Sequence, residues 1–352
     1  MTSSTSVAAG AAISWPGVLD GLLAGDDLSQ SDAHDLMMAV MAGEVSPPIL
    51  AAWLTALRAK GETPGEIAGF VRAMVDNAVA IDLDGPLVDT CGTGGDGANT
   101  FNVSTTVAPV IAAAGVRVAK HGNRAASSRV GSADLLEHFG VVIDLPAPAV
   151  AQCIEELGIG FLFARSFHPA MRHVGPVRAA LGVRTVFNIL GPLSNPAGAQ
   201  HQVVGVAARD LAPLVAATMA ELGKTHVLVF RGEDGLDELT TTGPSDVWEV
   251  RDGEVLQSRF DPAELGIPRA SLADLAGGEA EDNAAITRAV LQGQSGPCAD
   301  LVAVNAGAAL YAADATDSLA AGVDRAREVM ASGAGWDLLE RWAVRSQELA
   351  QG

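Results

Sequence analysis

The sequence predicts an α/β protein in which a small helical domain precedes a larger domain with a mainly parallel sheet. Apolar residues make up 49% of the chain and aromatic residues only 4%. Most of the apolar residues are alanine, valine and leucine, which suits helices and buried parallel strands. The N-terminal part has helical periodicity, whereas after residue 85 short apolar runs alternate with helical stretches. Such alternation is typical of βαβ units.

The predicted helical domain covers residues 13–84 and follows a tail at residues 1–12 that we expect to be disordered. Ser29 or Ser31 is suited to cap the helix that contains LMMAVM. Two more helices follow, separated by the junction GETPGE, with apolar residues at helical spacing. We expect this domain to serve packing or dimerisation, and a segment near residues 168–200 to return to it.

The α/β domain is predicted to span residues 85–352, with strands and helices in alternation. The predicted strands are LVDTC, VRVAK, VVIDL (residues 141–145), IGFLF, HQVVGVA and THVLVF. The predicted helices are TTVAPVIAAAG, SADLLEHFG, AVAQCIEELG and DLAPLVAATMAELG. The chain ends with CADLVAVNAGAALYAA and closing helices to Trp342.

The charge of the chain excludes several classes of function. Forty-two acidic residues against 22 basic ones give a formal charge of -20 and a pI near 4.6. Nucleic acids and anionic membranes repel such a chain, so we expect neither as a partner.

The three cysteines lack the spacing of a disulfide framework or a zinc site. No signal-peptide pattern or membrane-length apolar run is present, so a cytoplasmic location is expected.

A glycine-rich segment, DTCGTGGDGANTFNVSTT at residues 89–106, directly follows a predicted strand. Gly92, Gly94 and Gly97 fit the dinucleotide pattern G-x-G-x-x-G, but the acidic residue expected about 20 positions later is missing. The Walker A pattern also fails, because no Gly-Lys-Ser/Thr is present. Glycines followed by Asn, Ser and Thr at a helix start instead favour a loop that binds phosphate through backbone N–H groups.

A second polar segment, KHGNRAASSRVGSAD at residues 120–134, follows the next predicted strand. The carboxyl ends of parallel strands meet at one edge of the sheet, so we expect the two segments side by side. No acidic residue lies between Asp96 and Asp134, whereas Lys120 and Arg124 both lie there. The two segments together therefore predict a local anion site with phosphate as its ligand.

A third segment, GEDGLDELTTTGPS at residues 232–245, indicates a metal site. Phosphate-rich ligands usually bind with magnesium, which takes carboxylate oxygens. This segment follows the strand THVLVF and supplies Glu233, Asp234, Asp237 and Glu238. We predict that it contributes carboxylates to a magnesium site at the same sheet edge.

A second interval without acidic residues lies between residues 157 and 209 and contains several arginines. Arg172 or Arg178 is suited to bind the carboxylate of a second substrate through paired hydrogen bonds. No Ser-His-Asp or Cys-His signature stands out, and Cys91 is interpreted as a packing residue. No residue is assigned as acid or base, although His121 is the histidine best placed to line the site.

These segments resemble the signature blocks of the anthranilate phosphoribosyltransferase family. The blocks are DTCGTGGDGANTFNVST, KHGNRAASSRVGSADLLE, FARSFHPAMRHVGPVRAALGVRTVFNILGPLSNP and GLDELTTTGPS, in family order over nearly the whole chain. The resemblance implies a helical domain hinged to a larger α/β domain of the nucleoside phosphorylase/phosphoribosyltransferase type, with Mg²⁺ as cofactor and a homodimer. It also implies transfer of the phosphoribosyl group of 5-phosphoribosyl 1-pyrophosphate (PRPP) to anthranilate. The products would be N-(5-phosphoribosyl)anthranilate and pyrophosphate, in tryptophan biosynthesis.

The resemblance also implies roles for individual residues of this sequence. The residues implied for PRPP are Gly92, Gly95, Asp96, Thr100, Asn102, Val103, Ser104, Thr105, Lys120, His121, Gly122, Asn123, Arg124, Ala125, Ala126, Ser127, Ser128 and Ser132. Those implied for anthranilate are Gly92, Asn123 and Arg178, with Arg178 at the carboxylate. Those implied for magnesium are Ser104, Asp237 and Glu238.

Two alternative functions stay open on the sequence. A pyrimidine nucleoside phosphorylase has a related fold and glycine loop, but KHGNR and the pair Asp237 and Glu238 disfavour it. A non-catalytic nucleic-acid-binding relative would need a basic surface, which a net charge of -20 disfavours.

Overall fold

The structure is a computed structural model that describes residues 13–125 and 129–351. The predictions for the tail at residues 1–12 and for Ala126, Ser127 and Ser128 lie outside the described residues. The described helices are α1 (Trp15–Ala24), α2 (Gln30–Met41), α3 (Pro47–Lys60), α4 (Pro64–Asp76), α5 (Val103–Ala113), α6 (Ser132–His138), α7 (Ala147–Leu157), α8 (Ala164–Phe167), α9 (Gly175–Leu181), α10 (Phe187–Leu193), α11 (Leu211–Glu221), α12 (Ala280–Leu291), α13 (Pro297–Ala312), α14 (Leu319–Ser332) and α15 (Ala334–Gln351). The described strands are β1 (Val88–Gly92), β2 (Val118–Gly122), β3 (Ile159–Phe163), β4 (His201–Gly205), β5 (His226–Gly232), β6 (Ser245–Arg251) and β7 (Glu254–Phe260).

Helices α1 to α4 form the N-terminal helical region. Ser29, rather than Ser31, caps α2 by accepting the Asp32 N–H at 3.1 Å. Thr63 caps α4 in a reciprocal capping box with Glu66. Of the described helices, none is both long and apolar enough to cross a membrane.

The sheet has the strand order β3-β2-β1-β4-β5-β6-β7. Strands β1 to β5 are parallel, and β6 and β7 continue the sheet in antiparallel pairing. The strand order reverses between β1 and β4, which makes this point a topological switch. Open α/β sheets bind ligands in the crevice outside the carboxyl ends of the strands at such a point. The predicted mainly parallel sheet is confirmed.

Two apolar clusters cover the two faces of the sheet. Val203 and Val204, successive residues of β4, belong to opposite clusters, because successive side chains of a strand point to opposite faces. Helices α5, α13 and α15 contribute to the cluster that contains Val203. The cluster that contains Val204 joins α11 to helices α1 to α4, and it also includes Val177 of α9 and Phe187 of α10. The segment near residues 168–200 therefore packs against the helical region.

One predicted strand is wrong, and one hairpin was not predicted. Residues 141–145 (VVIDL) form no strand. Val141, Ile143 and Leu145 are buried in alternation because they cover the core, and the Val142 N–H donates to Ser346 Oγ at 2.9 Å rather than to a strand. The missed hairpin consists of β6 and β7, which pair on either side of an Asp-Gly turn.

Candidate active site

The first glycine-rich segment turns sharply at the carboxyl end of β1. Gly94, Gly95 and Gly97 have φ values of 64°, 81° and 72°, which favour glycine. The Gly94 N–H donates to Asp237 Oδ2 at 2.7 Å. A Cβ on Gly92 would collide with the same carboxylate, so a side chain cannot be accommodated there without moving Asp237. We call residues 94–97 the glycine turn; its close contact with Asp237 brings two distant segments together.

Lys120, the middle residue of β2, is buried beside the start of α5. Its Nζ donates to the Thr90 carbonyl at 2.5 Å and to Ser104 Oγ at 3.3 Å. Burial lowers the pKa of Lys120, while the charges of Asp89 and Glu238 oppose that shift. The positive charge of Lys120 is therefore close to the carboxylates of Asp89 and Glu238.

Asp89 and Asn195 are buried residues near the site that sequence reasoning missed; neither lines either cavity at this edge of the sheet. Asp89 is fully buried and accepts the His121 N–H at 3.1 Å and Asn195 Nδ2 at 2.8 Å. Asn195 Nδ2 also donates to the Ala119 carbonyl at 2.8 Å, so this pair links β1 to β2. The available signal was position, since Asp89 begins the first segment and Asn195 lies in the SNP that ends the third block.

The second polar segment is held by carboxylates of α6. Arg124 donates to Asp134 and Glu137, at 2.9 Å and 2.6 Å, so its charge is already paired. Asp134 also accepts the Ala125 N–H at 3.0 Å, and Ser132 Oγ donates to the Asn123 carbonyl at 3.1 Å. The charge of Arg124 is therefore compensated within the protein before any anion binds.

Asn102 is also committed to protein partners. Its Nδ2 donates to the Val130 carbonyl at 2.9 Å, and its Oδ1 accepts Asn283 Nδ2 at 2.9 Å. Asn102 thus joins the start of α5 to the second polar segment and to α12. Any contact with a phosphate group would come from the N–H groups at the start of α5, where the helix dipole is positive.

Two carboxylates, Asp237 and Glu238, lie close to Asp96 of the glycine turn. Burial and the nearby charge of Asp96 raise the pKa of Asp237 to about 6. Burial and the charge of Asp237 raise the pKa of Glu238 well above its ordinary value. Of the four carboxylates predicted for the metal, Asp234 instead accepts Thr240 Oγ1 and Glu233 pairs with an exposed arginine. The structure therefore brings Asp237 and Glu238, but not the other two, to the site.

The carboxylates of Asp237 and Glu238, beside Asp96 of the glycine turn, are suited to bind a cation. Within residues 13–125 and 129–351, no three His, Cys, Asp or Glu side chains form a metal-ligand cluster. Magnesium differs from metals that need a full protein cage, because one or two carboxylates plus substrate phosphates often hold it. Asp237 and Glu238 repel each other in a buried site, and a divalent cation would relieve that repulsion.

Two cavities meet at this edge of the sheet. The phosphate cavity, about 500 Å³, is lined by every described residue that the family resemblance implies for PRPP and for magnesium. The acceptor cavity, about 720 Å³, is lined by Arg178, whereas Gly92 lines only the phosphate cavity. The residues that line both cavities are Thr93, His121, Asn123 and Arg124. Thr93 was not predicted, although it lies between glycines of the first segment.

His121 and His168 lie in the wall of the acceptor cavity with ring centroids 5.2 Å apart. Burial lowers the pKa of His121 to about 4 and that of His168 to about 3, so both are neutral at physiological pH. His121 Nδ1 lies 3.1 Å from the Gly191 carbonyl, which requires the proton on Nδ1. His121 Nε2 is then an acceptor, and it has no hydrogen-bond partner in the described part of the chain.

Arg178 is the arginine best placed to bind an acceptor carboxylate. Its guanidinium lies 5.7 Å from the centre of the Phe187 ring, and burial lowers its pKa. No ion pair among the described residues includes it. Arg172, the other candidate, is exposed and donates to the Pro169 carbonyl at 3.3 Å. Arg178 therefore offers an unpaired charge to a ligand.

Cys91 is a packed thiol rather than a nucleophile. Gln202 Nε2 lies 3.1 Å from its Sγ. Burial and the charge of Asp89 raise the pKa of this thiol well above its ordinary value. The thiol therefore stays protonated, which agrees with a packing role.

Two family models match this chain, one over the α/β part and one over the N-terminal helical part. Residues 84–336 match the family described as "Glycosyl transferase family, a/b domain", and residues 16–78 match its helical bundle domain. The anthranilate phosphoribosyltransferase of Thermomicrobium roseum is 51% identical over 339 residues, which cover 95% of this chain and 97% of that one. The chain belongs to the anthranilate phosphoribosyltransferase family.

Solved structures of anthranilate phosphoribosyltransferases have the same fold. That from Thermus thermophilus is 51% identical, with a TM-score of 0.89 over 94% of this chain and 99% of that chain. That from Saccharomyces cerevisiae in complex with PRPP and Mg is 28% identical, with a TM-score of 0.85 over 95% and 98%. The same yeast enzyme in complex with 4-fluoroanthranilate gives a TM-score of 0.83, with 26% identity and coverage of 95% and 99%. The predicted family and fold class are confirmed.

Proposed function

We propose that this chain transfers the phosphoribosyl group of PRPP to anthranilate, giving N-(5-phosphoribosyl)anthranilate and pyrophosphate, in tryptophan biosynthesis. The observation that carries the proposal is the meeting of two chemically different cavities. One combines the glycine turn, Lys120 and the start of α5, which suits phosphate groups. The other contains the unpaired Arg178 beside an aromatic ring, which suits an aromatic carboxylate. The yeast relative's complexes with PRPP and with 4-fluoroanthranilate support both substrate assignments.

Within the phosphate cavity, we propose that the residues implied by the family resemblance contact PRPP. The glycine turn and the N–H groups at the start of α5 would bind its phosphates, and Lys120 would supply a positive charge. Asn123 lines both cavities, so it would contact PRPP on one side and anthranilate on the other. Arg178 would pair with the anthranilate carboxylate.

Magnesium is the proposed cofactor, and the residues present fit it. Asp237 and Glu238 are oxygen ligands with raised pKa values beside the glycine turn, and Ser104 Oγ lies next to Lys120 Nζ. These three residues would hold the ion together with substrate oxygens. Bound magnesium would neutralise charge on the pyrophosphate. The yeast relative in complex with PRPP and Mg supports this assignment.

The residues of this chain would act by positioning and by electrostatics. Lys120 and the backbone N–H groups stabilise negative charge as the bond between ribose C1 and pyrophosphate breaks. Arg178 orients anthranilate so that its amine faces C1, which gains positive charge during the reaction. An aromatic amine is neutral at physiological pH, so a strong general base is not required. Neutral His121 offers Nε2 as an uncharged acceptor near the junction of the cavities.

The test is direct. Anthranilate is fluorescent, so its consumption can be followed in the presence of PRPP and Mg²⁺. We expect consumption that requires both additions and releases pyrophosphate in equal amount. A folded chain that consumes no anthranilate under these conditions would overturn the proposal.

We further propose the division into a helical domain (residues 13–84, with a returning segment near 168–200) and a hinged α/β domain (residues 85–352). A homodimer formed through the helical domains is proposed from an apolar groove between α1 and α3, where Leu23 is 73% exposed.

A cytoplasmic location is proposed because Cys91, Cys153 and Cys298 are free thiols.

A further inference from the structure

Arg184 lies in the segment between α9 and α10 and meets the glycine turn. A Cβ on Gly95 would collide with Arg184 Nη1, so the guanidinium lies directly against the turn. Gly95 lines the phosphate cavity, whereas Arg184 is not part of its lining. Two side chains therefore contact the turn: Asp237 accepts the Gly94 N–H, and the Arg184 guanidinium lies against Gly95.

The guanidinium of Arg184 has hydrogen-bonding capacity that the protein does not use. Arg184 Nη2 is buried and has no hydrogen-bond partner among residues 13–125 and 129–351. No ion pair found in those residues includes Arg184, although the chain has 42 acidic residues. A buried donor without a partner costs roughly 1–3 kcal/mol, so such a group calls for an explanation. Because the guanidinium lies beside the phosphate cavity but outside its lining, its unpaired charge can attract an anionic ligand through space rather than by direct contact.

The backbone of this segment is fixed independently of the Arg184 side chain. Arg58, in the last turn of α3, donates through Nη1 to the Arg184 carbonyl. The Thr185 N–H donates to Asn188 Oδ1 at 2.9 Å. Helices α3 and α10 thus hold the segment in place, and a change of the Arg184 side chain should leave its course unaltered.

We propose that Arg184 is a positioning residue for PRPP, which supports the glycine turn from outside the phosphate cavity and adds a positive charge beside the bound pyrophosphate. The inference rests on the proposed function and adds a residue to it. A turn with three glycines is costly to order, and a side chain packed against it restricts the conformations it can adopt. The charge also offsets the negative charges of Asp237 and Glu238 near the turn.

The test compares PRPP binding by Arg184→Met, Arg184→Lys and a control, Arg325→Met. Methionine keeps most of the side-chain volume but removes the charge, and Arg325 lies exposed on α14, paired only with Glu328. Isothermal titration with PRPP and Mg²⁺, without anthranilate, measures binding in the absence of turnover. We expect Arg184→Met to weaken PRPP binding by about tenfold, Arg184→Lys to weaken it less, and Arg325→Met to bind like the wild type.

Steady-state kinetics and melting temperatures separate positioning from a structural role. The KM for PRPP should rise in Arg184→Met while the KM for anthranilate and the melting temperature stay unchanged. Arg58→Ala, which frees the Arg184 carbonyl, should raise the KM for PRPP in the same direction. Unaltered PRPP binding in Arg184→Met, or parallel loss of both affinities and of thermal stability, overturns the inference alone. Failure of the wild type to bind PRPP overturns the proposed function as well.

Discussion

Gly92 shows how a single missing side chain determines the chemistry available at the end of β1. Because its Cβ would occupy the place of Asp237 Oδ2, Gly92→Ala must displace this carboxylate from the glycine turn. We expect kcat/KM for PRPP to fall by about 100-fold, roughly 3 kcal/mol of transition-state stabilisation. Gly65→Ala is the control, since no heavy atom lies within 4 Å of a Cβ there. Equal kcat/KM for Gly92→Ala and wild type would contradict the close contact.

Asp237 predicts a dependence of stability on pH. Its pKa is raised to about 6, above the unfolded value, so its stabilising contribution is full at low pH and is lost as the pH rises through about 6. Asp237→Asn should therefore be more stable than the wild type at pH 7.5, by on the order of 1–2 kcal/mol without magnesium. At pH 4.5 the difference should shrink.

Urea denaturation at the two pH values checks this expectation. Asp252→Asn is the matched control, because Asp252 lies exposed in the turn between β6 and β7, with a φ of 53° that asparagine also tolerates. Added Mg²⁺ with pyrophosphate should raise the melting temperature of the wild type more than that of Asp237→Asn. A stability difference that is the same at both pH values would show that Asp237 titrates normally.

Substitution of Arg178 is expected to affect the KM for anthranilate but not the KM for PRPP. Arg178→Ala removes the only proposed partner of the anthranilate carboxylate, so the KM for anthranilate should rise by about 10- to 100-fold. The KM for PRPP should change little, and Arg178→Lys should recover part of the loss. Arg341→Ala, an exposed position on α15, is the control. An unchanged KM for anthranilate in Arg178→Ala would remove this residue from the site.

The role of a residue was predictable from the sequence where a side chain suited to the ligand lies in or just after a predicted strand of the parallel sheet. Lys120 lies within β2, and the glycine turn and Asp237 lie in the loops after β1 and β5, so their meeting follows from the parallel sheet. Arg184 against Gly95 and Asn195 against Asp89 are different, because each joins segments far apart in the sequence. Periodicity and spacing predict elements, but they do not predict which side chains of distant segments meet.

At the scale of elements, strands that pair with chain neighbours in a βαβ pattern were predictable, and two features were not. Residues 141–145 have the alternation of a strand because every second side chain enters the core, yet they pair with no strand. The hairpin of β6 and β7 was hidden because β7 is almost entirely exposed and therefore lacks an apolar pattern. The Asp-Gly turn between them was the signal that would have revealed it.

In helix α4, the carboxylate of Glu66 is expected to contribute strongly to the stability of the helical region. Glu66 is fully buried and accepts the Leu28 N–H at 2.9 Å, the Thr63 N–H at 2.8 Å and Lys60 Nζ at 3.0 Å. Glu66→Ala leaves these donors unsatisfied, so we expect a loss of about 2–4 kcal/mol in the free energy of unfolding. Glu66→Gln keeps an acceptor and should lose less. Urea denaturation measures both, and a loss below about 1 kcal/mol for Glu66→Ala would contradict this role.

At the scale of the whole molecule, the site lies where the sheet, the helical region and the returning segment meet. The phosphate cavity is lined by β1, β2 and the loops around them, whereas α9 and α10 contribute to the acceptor cavity. A movement of the helical region relative to the sheet would therefore change the distance between the two substrates. Arg184, tied to α3 by its carbonyl and to the glycine turn by its side chain, is the contact that would transmit such a movement.

The proposed homodimer gives the last prediction at this scale. Helices α1 and α3 form an apolar groove lined by Leu19, Leu23 and small side chains, and Leu23 is 73% exposed. An aspartate at this position would have to be buried in a dimer, so Leu23→Asp should shift the chain from dimer to monomer in sedimentation velocity. Leu256→Asp is the control, because Leu256 is 63% exposed on the edge strand β7 and does not line the groove. A dimer that persists in Leu23→Asp but dissociates in Leu256→Asp would place the interface on the edge strand instead.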